Sequence, residues 1–291
     1  MCSFPDTSLA ILQEITHKLT EERKVRLFVK REDLIHPQIS GNKWHKLKYN
    51  LLEARRQGKH TLLTFGGAFS NHLYAVAAAG KLFDFHTIGI VRGEEHLPLN
   101  STLAFARACG MQLHYMDRAT YRNKQADYVL CSLREKFGDF YLLPEGGTNE
   151  WAVKGCADMI ADLSIDFDWV CCPCGTGGTL AGLASALLPH QHALGIAVLK
   201  ATDFLEKQVS NLLKDHKRKT HWEITHDYHF GGYAKKSLSL DNFIQHFMQR
   251  YQIPLEPVYT GKMMYAVFDL LEKGFFPTGS VIVAIHTGGV R

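Results

Sequence analysis

The sequence predicts an α/β protein built from mostly parallel, twisted sheets flanked by helices. Three observations predict it. Short apolar runs of strand length alternate along the chain with longer stretches of helical spacing. Several of those runs end in glycine-rich turns that lead straight into the next helix. The 291 residues, 46% hydrophobic and 21% charged, suffice for one large or two ordinary domains with a sizeable core, which excludes disordered and fibrous classes.

In chain order, Val25 to Lys30 alternates as a strand, and Lys43 to Arg56 places Leu47, Leu51 and Leu52 at helical spacing after a Gly-Asn start. Thr61 to Phe65 is a buried-strand run, and Gly66-Gly67 turns the chain into an alanine-rich helix over Asn71 to Phe83. Thr87 to Val91, Thr102 to Cys109 and Gln112 to Met116 continue as strand, helix and strand. After Gly146-Gly147-Thr148-Asn149 comes a helix over Trp151 to Leu163. The strand Trp169 to Cys172 then runs into Gly175-Thr176-Gly177-Gly178-Thr179 and a helix over Leu180 to Leu188. Strands over Ala193 to Leu199 and Val281 to Ile285, with helices over Leu240 to Tyr251 and Gly261 to Lys273, complete a second βα series. The N-terminal strand is expected to pack with this second series. The expected division is therefore a discontinuous larger domain, 1–45 plus 146–291, and a smaller one, 46–145.

A net charge of +4 arises from 33 Lys and Arg against 29 Asp and Glu spread along the chain, so no nucleic-acid partner is expected. His221-Trp222 with Lys214, Lys217, Arg218 and Lys219 reads as a solvated charged loop. There is no apolar run of membrane-spanning length, and the first residues lack the charged and apolar blocks of a secretion signal. A cytoplasmic protein without membrane contact is expected. Of the seven cysteines, Cys2, Cys109, Cys131 and Cys156 are expected to be reduced and mostly buried. Cys171, Cys172 and Cys174 lack a second pair or nearby histidines at metal-knuckle spacing. They are read as small buried residues at a strand end, and no metal is expected.

Chemistry concentrates at three strand-to-helix junctions. Gly175 to Thr179 lets backbone amides crowd around an anion at a helix's positive end, phosphate above all, although an ordinary tight turn has the same composition. It is neither a P-loop, since the Lys-Ser/Thr pair is missing, nor a good dinucleotide fingerprint. Lys43 follows Gly41-Asn42 at the opening turn of a helix, where positive helix-end amides favour the neutral amine that condenses with carbonyls; a solvated surface lysine is the plainer alternative. Ser70 and Asn71 in Gly66-Gly67-Ala68-Phe69-Ser70-Asn71-His72 stand where they either cap a helix or meet a ligand.

Together these segments resemble the fold type II pyridoxal-phosphate enzymes, in the branch that holds D-cysteine desulfhydrase and 1-aminocyclopropane-1-carboxylate (ACC) deaminase. Gly41-Asn42-Lys43-Trp44-His45-Lys46-Leu47 is similar to that branch's Gly-Asn-Lys-x-x-Lys-Leu, and Lys30-Arg31-Glu32-Asp33 precedes it as in the family. Ser70-Asn71-His72, Gly146-Gly147-Thr148-Asn149, the loop Gly175 to Thr179, Gly232-Tyr233, Pro257-Val258-Tyr259-Thr260-Gly261-Lys262 and His286-Thr287-Gly288-Gly289 follow in the family's order. The resemblance covers roughly Lys30 to the C-terminus. Phe69 stands where glutamine commonly precedes Ser-Asn, and Ala234 where glycine commonly follows the tyrosine. Both departures bear on specificity more than on the cofactor.

The resemblance implies a two-domain fold, tryptophan synthase beta-like, with pyridoxal 5'-phosphate as cofactor, a small amino-acid substrate and a homodimer. It makes Lys43 the lysine that carries the cofactor and acts as base, and Gly175, Thr176, Gly177, Gly178 and Thr179 the phosphate site. Asn71 would meet the ring hydroxyl, Tyr259 would stack on the ring, and Thr287 would face the ring nitrogen. Ser70, Asn71, His72 and Tyr233 would line the substrate side, with Ser70, Tyr233 and Tyr259 joining Lys43 in catalysis. ACC deaminases carry glutamate directly after the tyrosine, where this chain has Thr260. With threonines at 260 and 287, no carboxylate is expected to hold a proton on the ring nitrogen. That favours β-elimination from D-cysteine, to pyruvate, sulfide and ammonia, over opening a cyclopropane. ACC deamination to α-ketobutyrate is the alternative, and an inactive cofactor-binding or regulatory protein is the alternative of another class.

Overall fold

The structure, a computed structural model, describes residues 4–200, 204–216 and 219–290. Its strands are β1 (Leu12–Glu14), β2 (Arg26–Lys30), β3 (Thr61–Gly66), β4 (His86–Arg92), β5 (Gln112–Met116), β6 (Tyr141–Leu143), β7 (Trp169–Cys174), β8 (His192–Ala197), β9 (His221–Thr225) and β10 (Val281–Ile285). The helices are α1 (Lys18–Glu22), α2 (Asn42–Arg56), α3 (Asn71–Phe83), α4 (Ser101–Ala108), α5 (Arg118–Arg122), α6 (Asp127–Phe137), α7 (Glu150–Ala161), α8 (Gly178–Ser185), α9 (Phe204–Leu213), α10 (Leu238–Tyr251) and α11 (Thr260–Glu272). Among the described residues no helix is long and apolar enough to cross a membrane.

The strands form two sheets, one in the order β1-β2-β10-β7-β8-β9 and one in the order β5-β4-β3-β6. Every pairing is parallel except β1 against β2, so the fold is α/β with helices covering the sheet faces. β2 pairs with β10, which joins Val29 to Ala284 across almost the whole length of the chain. Covered on both faces, the central strands are continuously apolar: Ile282, Val283, Ala284 and Ile285 of β10 are all fully buried. Pro173, which has no N–H, sits in β7 beyond Cys171, where the ladder to β10 has stopped and only β8 continues alongside.

Several expectations need correction. The strand expected to end at Cys172 continues to Cys174, and the helix expected over Leu180 to Leu188 is Gly178–Ser185. It stops short because Pro189 disfavours helix in the residue before it. His221 and Trp222 lie in the edge strand β9, with Trp222 opposite Ala193, and not in a solvated loop. A strand half-exposed on one edge has weak alternation, which hid it. Lys217 and Arg218 lie outside the described residues, as does Cys2. Cys156, Cys171, Cys172 and Cys174 are buried free thiols, but Cys131 is exposed on α6 and Cys109 half-buried.

The helices that carry the site pack backbone to backbone. A Cβ placed on Gly155 of α7 would lie 1.8 Å from the His45 carbonyl oxygen of α2, and one on Gly182 of α8 would lie 2.3 Å from the Cys156 Cβ of α7. Glycine at these crossings sets α2 against α7 and α7 against α8, which brings the start of α2 to the loop before α8. Gly155→Ala is accordingly expected to lower stability by about 3 kcal/mol in urea unfolding, as overpacking does when backbone must move. Gly58→Ala, in open space at φ 68°, should cost about 1 kcal/mol, for the left-handed backbone alone.

Candidate active site

The site begins where β2 ends. The Gly41 N–H donates to the Glu32 carbonyl at 2.8 Å, and Gly41 holds φ 65°, the left-handed region that favours glycine. A Cβ there would lie 2.0 Å from the carbonyl oxygen of Thr287, so only glycine lets the head of α2 rest on the turn after β10. Lys43 stands two residues on, in the first turn of α2. Its ammonium donates to Asn42 Oδ1 at 2.7 Å, and Asn42 Nδ2 donates to Thr179 Oγ1 at 2.8 Å, tying the lysine motif to the loop before α8.

These elements wall a cavity of about 390 Å3, within the range of small-molecule sites. It brings together Lys43, Ser70, Asn71, His72, Tyr233, Tyr259 and Thr287 with Gly175, Thr176, Gly177 and Thr179. Gly178 is not on the wall: it opens α8, and its missing Cβ makes room for Thr148, whose Oγ1 would otherwise be 2.8 Å away. Thr260 is also absent from the wall. It is wholly buried, and its hydroxyl accepts the Glu256 N–H at 3.0 Å. The Glu256 carboxylate in turn accepts N–H groups of Val258, Tyr259 and Thr260 at 2.6–2.8 Å. Burial nevertheless pushes its pKa up. This carboxylate was missed because it stands one residue ahead of the Pro-Val-Tyr motif.

Ser70 does cap α3: its Oγ accepts the N–H groups of His72 and Leu73, both at 3.2 Å, leaving its own proton to donate. The Thr64 hydroxyl donates to the Leu143 carbonyl at 2.9 Å, so at 2.8 Å His72 Nε2–H must be the donor to Thr64. Burial, with the charges of Lys43 and Lys46 added, holds His72 far below its ordinary pKa and keeps it neutral. Tyr259 is at the head of α11 beside Tyr233, ring centres 6.0 Å apart in an edge-to-face contact. Burial and the hydrogen bond with Tyr233 push the Tyr259 phenol up. Tyr233 is 42% exposed and Phe69 69% exposed, both on the cavity wall. Ala234 holds φ 56°, a left-handed conformation better suited to the glycine common at that position.

Lys46, Arg92 and Glu145 also line the cavity and were not singled out. Lys46 is buried, which pushes its pKa down, and donates to Gly146 O at 3.1 Å and Thr148 Oγ1 at 3.4 Å; Thr148 is 2.6 Å from Thr176 of the glycine loop. Its place in the lysine motif was the available signal. Arg92 and Glu145 sit in no motif.

The donor set fits a planar aldehyde bearing a phosphate. The loop before α8 offers glycine amides and threonine hydroxyls at a helix N-terminus, with a buried ammonium behind it. A Cβ on Gly175 would lie 3.2 Å from the Tyr259 ring, so the glycine keeps that space open, and the Lys43 amine faces the same cavity. The sequence pattern of the pyridoxal-phosphate dependent enzymes matches residues 12–288, and the chain belongs to that family, with pyridoxal phosphate as its cofactor. It is 31% identical to a Pyrococcus abyssi protein named a putative ACC deaminase, over 94% of this chain and 87% of that one. It is 28% identical to the mitochondrial bifunctional D-cysteine desulfhydrase/ACC deaminase of Arabidopsis thaliana, over 91% of this chain and 72% of that one. Among solved structures, an ACC deaminase homologue superposes with a TM-score of 0.81 at 28% identity, covering 99% of this chain and 93% of that one.

The neutral His72 has a consequence for acid stability. Unfolded, it binds a proton near the ordinary histidine value of 6.5; folded, it does so only at a lower pH, so the stability present above 6.5 is lost as pH falls towards the folded pKa. In urea unfolding between pH 8 and 5, His72→Gln is expected to lose less stability on acidification than the unaltered protein.

Proposed function

We propose that the chain is a pyridoxal-phosphate dependent lyase of the D-cysteine desulfhydrase type, releasing sulfide, ammonia and pyruvate. The observation that carries this reading is that a hydroxyl, Thr287, lines the cavity beside the Gly41–Lys43 turn, whereas Glu256 lies off the wall with its carboxylate engaged by three amides. A neutral hydroxyl supports a weaker electron sink than a carboxylate, which suits a substrate with a good leaving group. The same cavity in a deaminase of ACC is the second reading, favoured by the name of the Pyrococcus abyssi relative.

When bound, the cofactor supplies the electron sink for the bonds at the substrate's α-carbon. The protein's own groups do the rest. Lys43 would hold the cofactor and would move the proton at the substrate's α-carbon, with Asn42 Oδ1 fixing the direction of its amine. Gly175, Thr176, Gly177 and Thr179, with the amide of Gly178 behind them, would bind the phosphate, and the Thr179 hydroxyl is oriented by Asn42. Asn71 and Tyr259, both on the cavity wall, would meet the ring hydroxyl and cover a ring face. Ser70, capping α3, donates its proton to the substrate carboxylate beside His72, at a helix end that favours an anion. Tyr233 stands on the substrate side, its hydroxyl engaged with that of Tyr259.

Borohydride reduction of the loaded protein followed by peptide mass spectrometry is expected to find a pyridoxyl group on the Lys43 peptide, and none in Lys43→Ala. Its absence in the unaltered protein would point to a scaffold that has lost catalysis. In steady-state assays, kcat/KM for D-cysteine is expected to exceed that for ACC at least tenfold. A higher value for ACC would install the deaminase reading.

A further inference from the structure

Arg92 is the last residue of β4, at the end where the parallel strand β3 turns into α3, and it lines the cavity. A Cβ on Gly67, in that turn, would lie 3.7 Å from Nη2 of Arg92. Its guanidinium carbon stands 6.0 Å from the centre of the Tyr121 ring. Among the described residues no carboxylate lies within ion-pair distance of Arg92. The acid on the same wall, Glu145, is engaged elsewhere: Lys124 lies 3.1 Å from Oε2, and the Tyr121 hydroxyl donates to Oε1 at 2.8 Å.

Among the described residues the cavity wall therefore carries three basic side chains, Lys43, Lys46 and Arg92, and one acid, Glu145, that is already paired with Lys124. On the reading given above, the cofactor phosphate answers the α8 terminus and Lys46, Lys43 holds the cofactor, and the substrate's α-carboxylate goes to Ser70. One guanidinium is left over, exposed to solvent and close to Gly67, which lies three residues upstream of Ser70 in the turn before α3. A guanidinium presents a planar fork of N–H donors matched to an oxyanion, and a position flanked by the face of Tyr121 keeps that fork oriented.

We propose that Arg92 widens the substrate range of this cavity beyond D-cysteine, binding amino acids whose β-substituent ends in a carboxylate. The inference rests on the cavity being the amino-acid site of a pyridoxal-phosphate lyase. A fitting member of the class is a β-thioether amino acid with a terminal carboxylate. Elimination from it breaks the Cβ–S bond, the sulfur leaves with the bonding pair and takes up a proton, and hydrolysis of the remaining amino acrylate by water gives pyruvate and ammonia. No oxidant or reductant is needed.

The test compares S-carboxymethyl-D-cysteine with S-carbamoylmethyl-D-cysteine, which match in size and differ in charge, and their L enantiomers, by calorimetric binding to the holoenzyme and by pyruvate release. The unaltered protein is expected to bind the carboxymethyl compound of one enantiomer at least tenfold more tightly than its amide. Arg92→Gln should abolish that preference and Arg92→Lys should retain part of it. Equal affinities in the unaltered protein, or an undiminished preference in Arg92→Gln, would make Arg92 a solvated surface arginine only. The pyridoxyl adduct on Lys43, sought in the unaltered protein and in Arg92→Gln, separates the two levels: its absence from both overturns the cofactor-site reading, whereas its presence with no charge preference overturns this inference alone.

Discussion

The contact on which the site depends is a backbone crossing with no room for a side chain. Gly41 rests on the Thr287 carbonyl, from opposite ends of the chain, and tolerates the approach because it has no Cβ and accepts a positive φ. The crossing places the first turn of α2, and with it Lys43, directly beside the turn that presents Thr287 to the cavity. β2 and β10 are parallel neighbours, so the two segments leave the sheet at the same edge, where ligands gather in open α/β sheets.

Buried charge secures that crossing from below. Glu32, fully buried, accepts from His45 of α2 at 2.7 Å and has Lys30 at 3.7 Å, while its backbone carbonyl takes the Gly41 N–H. Asp33 binds Arg31 at 2.8 Å and faces His286 at 3.2 Å, and His286 donates to the Pro254 carbonyl. Breaking one partner of such a pair strands a charge without water, so the network holds one arrangement of the β2, α2 and β10 ends. Lys262 does similar work across the cavity. Buried within α11, it donates to the carbonyls of Val198, His229 and Gly232 at 2.8–3.3 Å and thereby fixes the turn that carries Tyr233.

The glycine-loop side and the Ser70 side of the cavity are built on different sheets. The glycine loop follows β7 of one sheet, and the Ser70 turn follows β3 of the other. Asn42 and Lys46, both on α2, reach from the lysine motif to Thr179 and Thr148, so a single helix registers the amine against the anion site. Arg92 belongs to the β3 and β4 side, away from the phosphate loop. On the proposed reading, bond breaking and the recognition of the substrate's side chain fall to separate parts of the framework.

Much of the fold was legible because its central strands are apolar throughout and its longer helices have strong periodicity: Asn71–Phe83, Gln112–Met116 and Val281–Ile285 are as the sequence predicts. The three-residue strands β1 and β6, the edge strand β9, and α5, α6 and α9 escaped, since short or half-exposed elements carry little pattern. The sequence alone determined the chemistry on offer, because Lys43 in Gly-Asn-Lys, the glycine loop and the tyrosine motif each announce themselves through local composition. Tertiary structure alone decided that Thr260 turns away towards Glu256 while Thr287 faces the cavity. It also placed Lys46, Arg92 and Glu145 on the wall. Apart from the Thr260–Glu256 contact, which lies within one segment, those outcomes depend on which surfaces the packing of sheets and helices brings together, and contacts between separate elements leave no local signature.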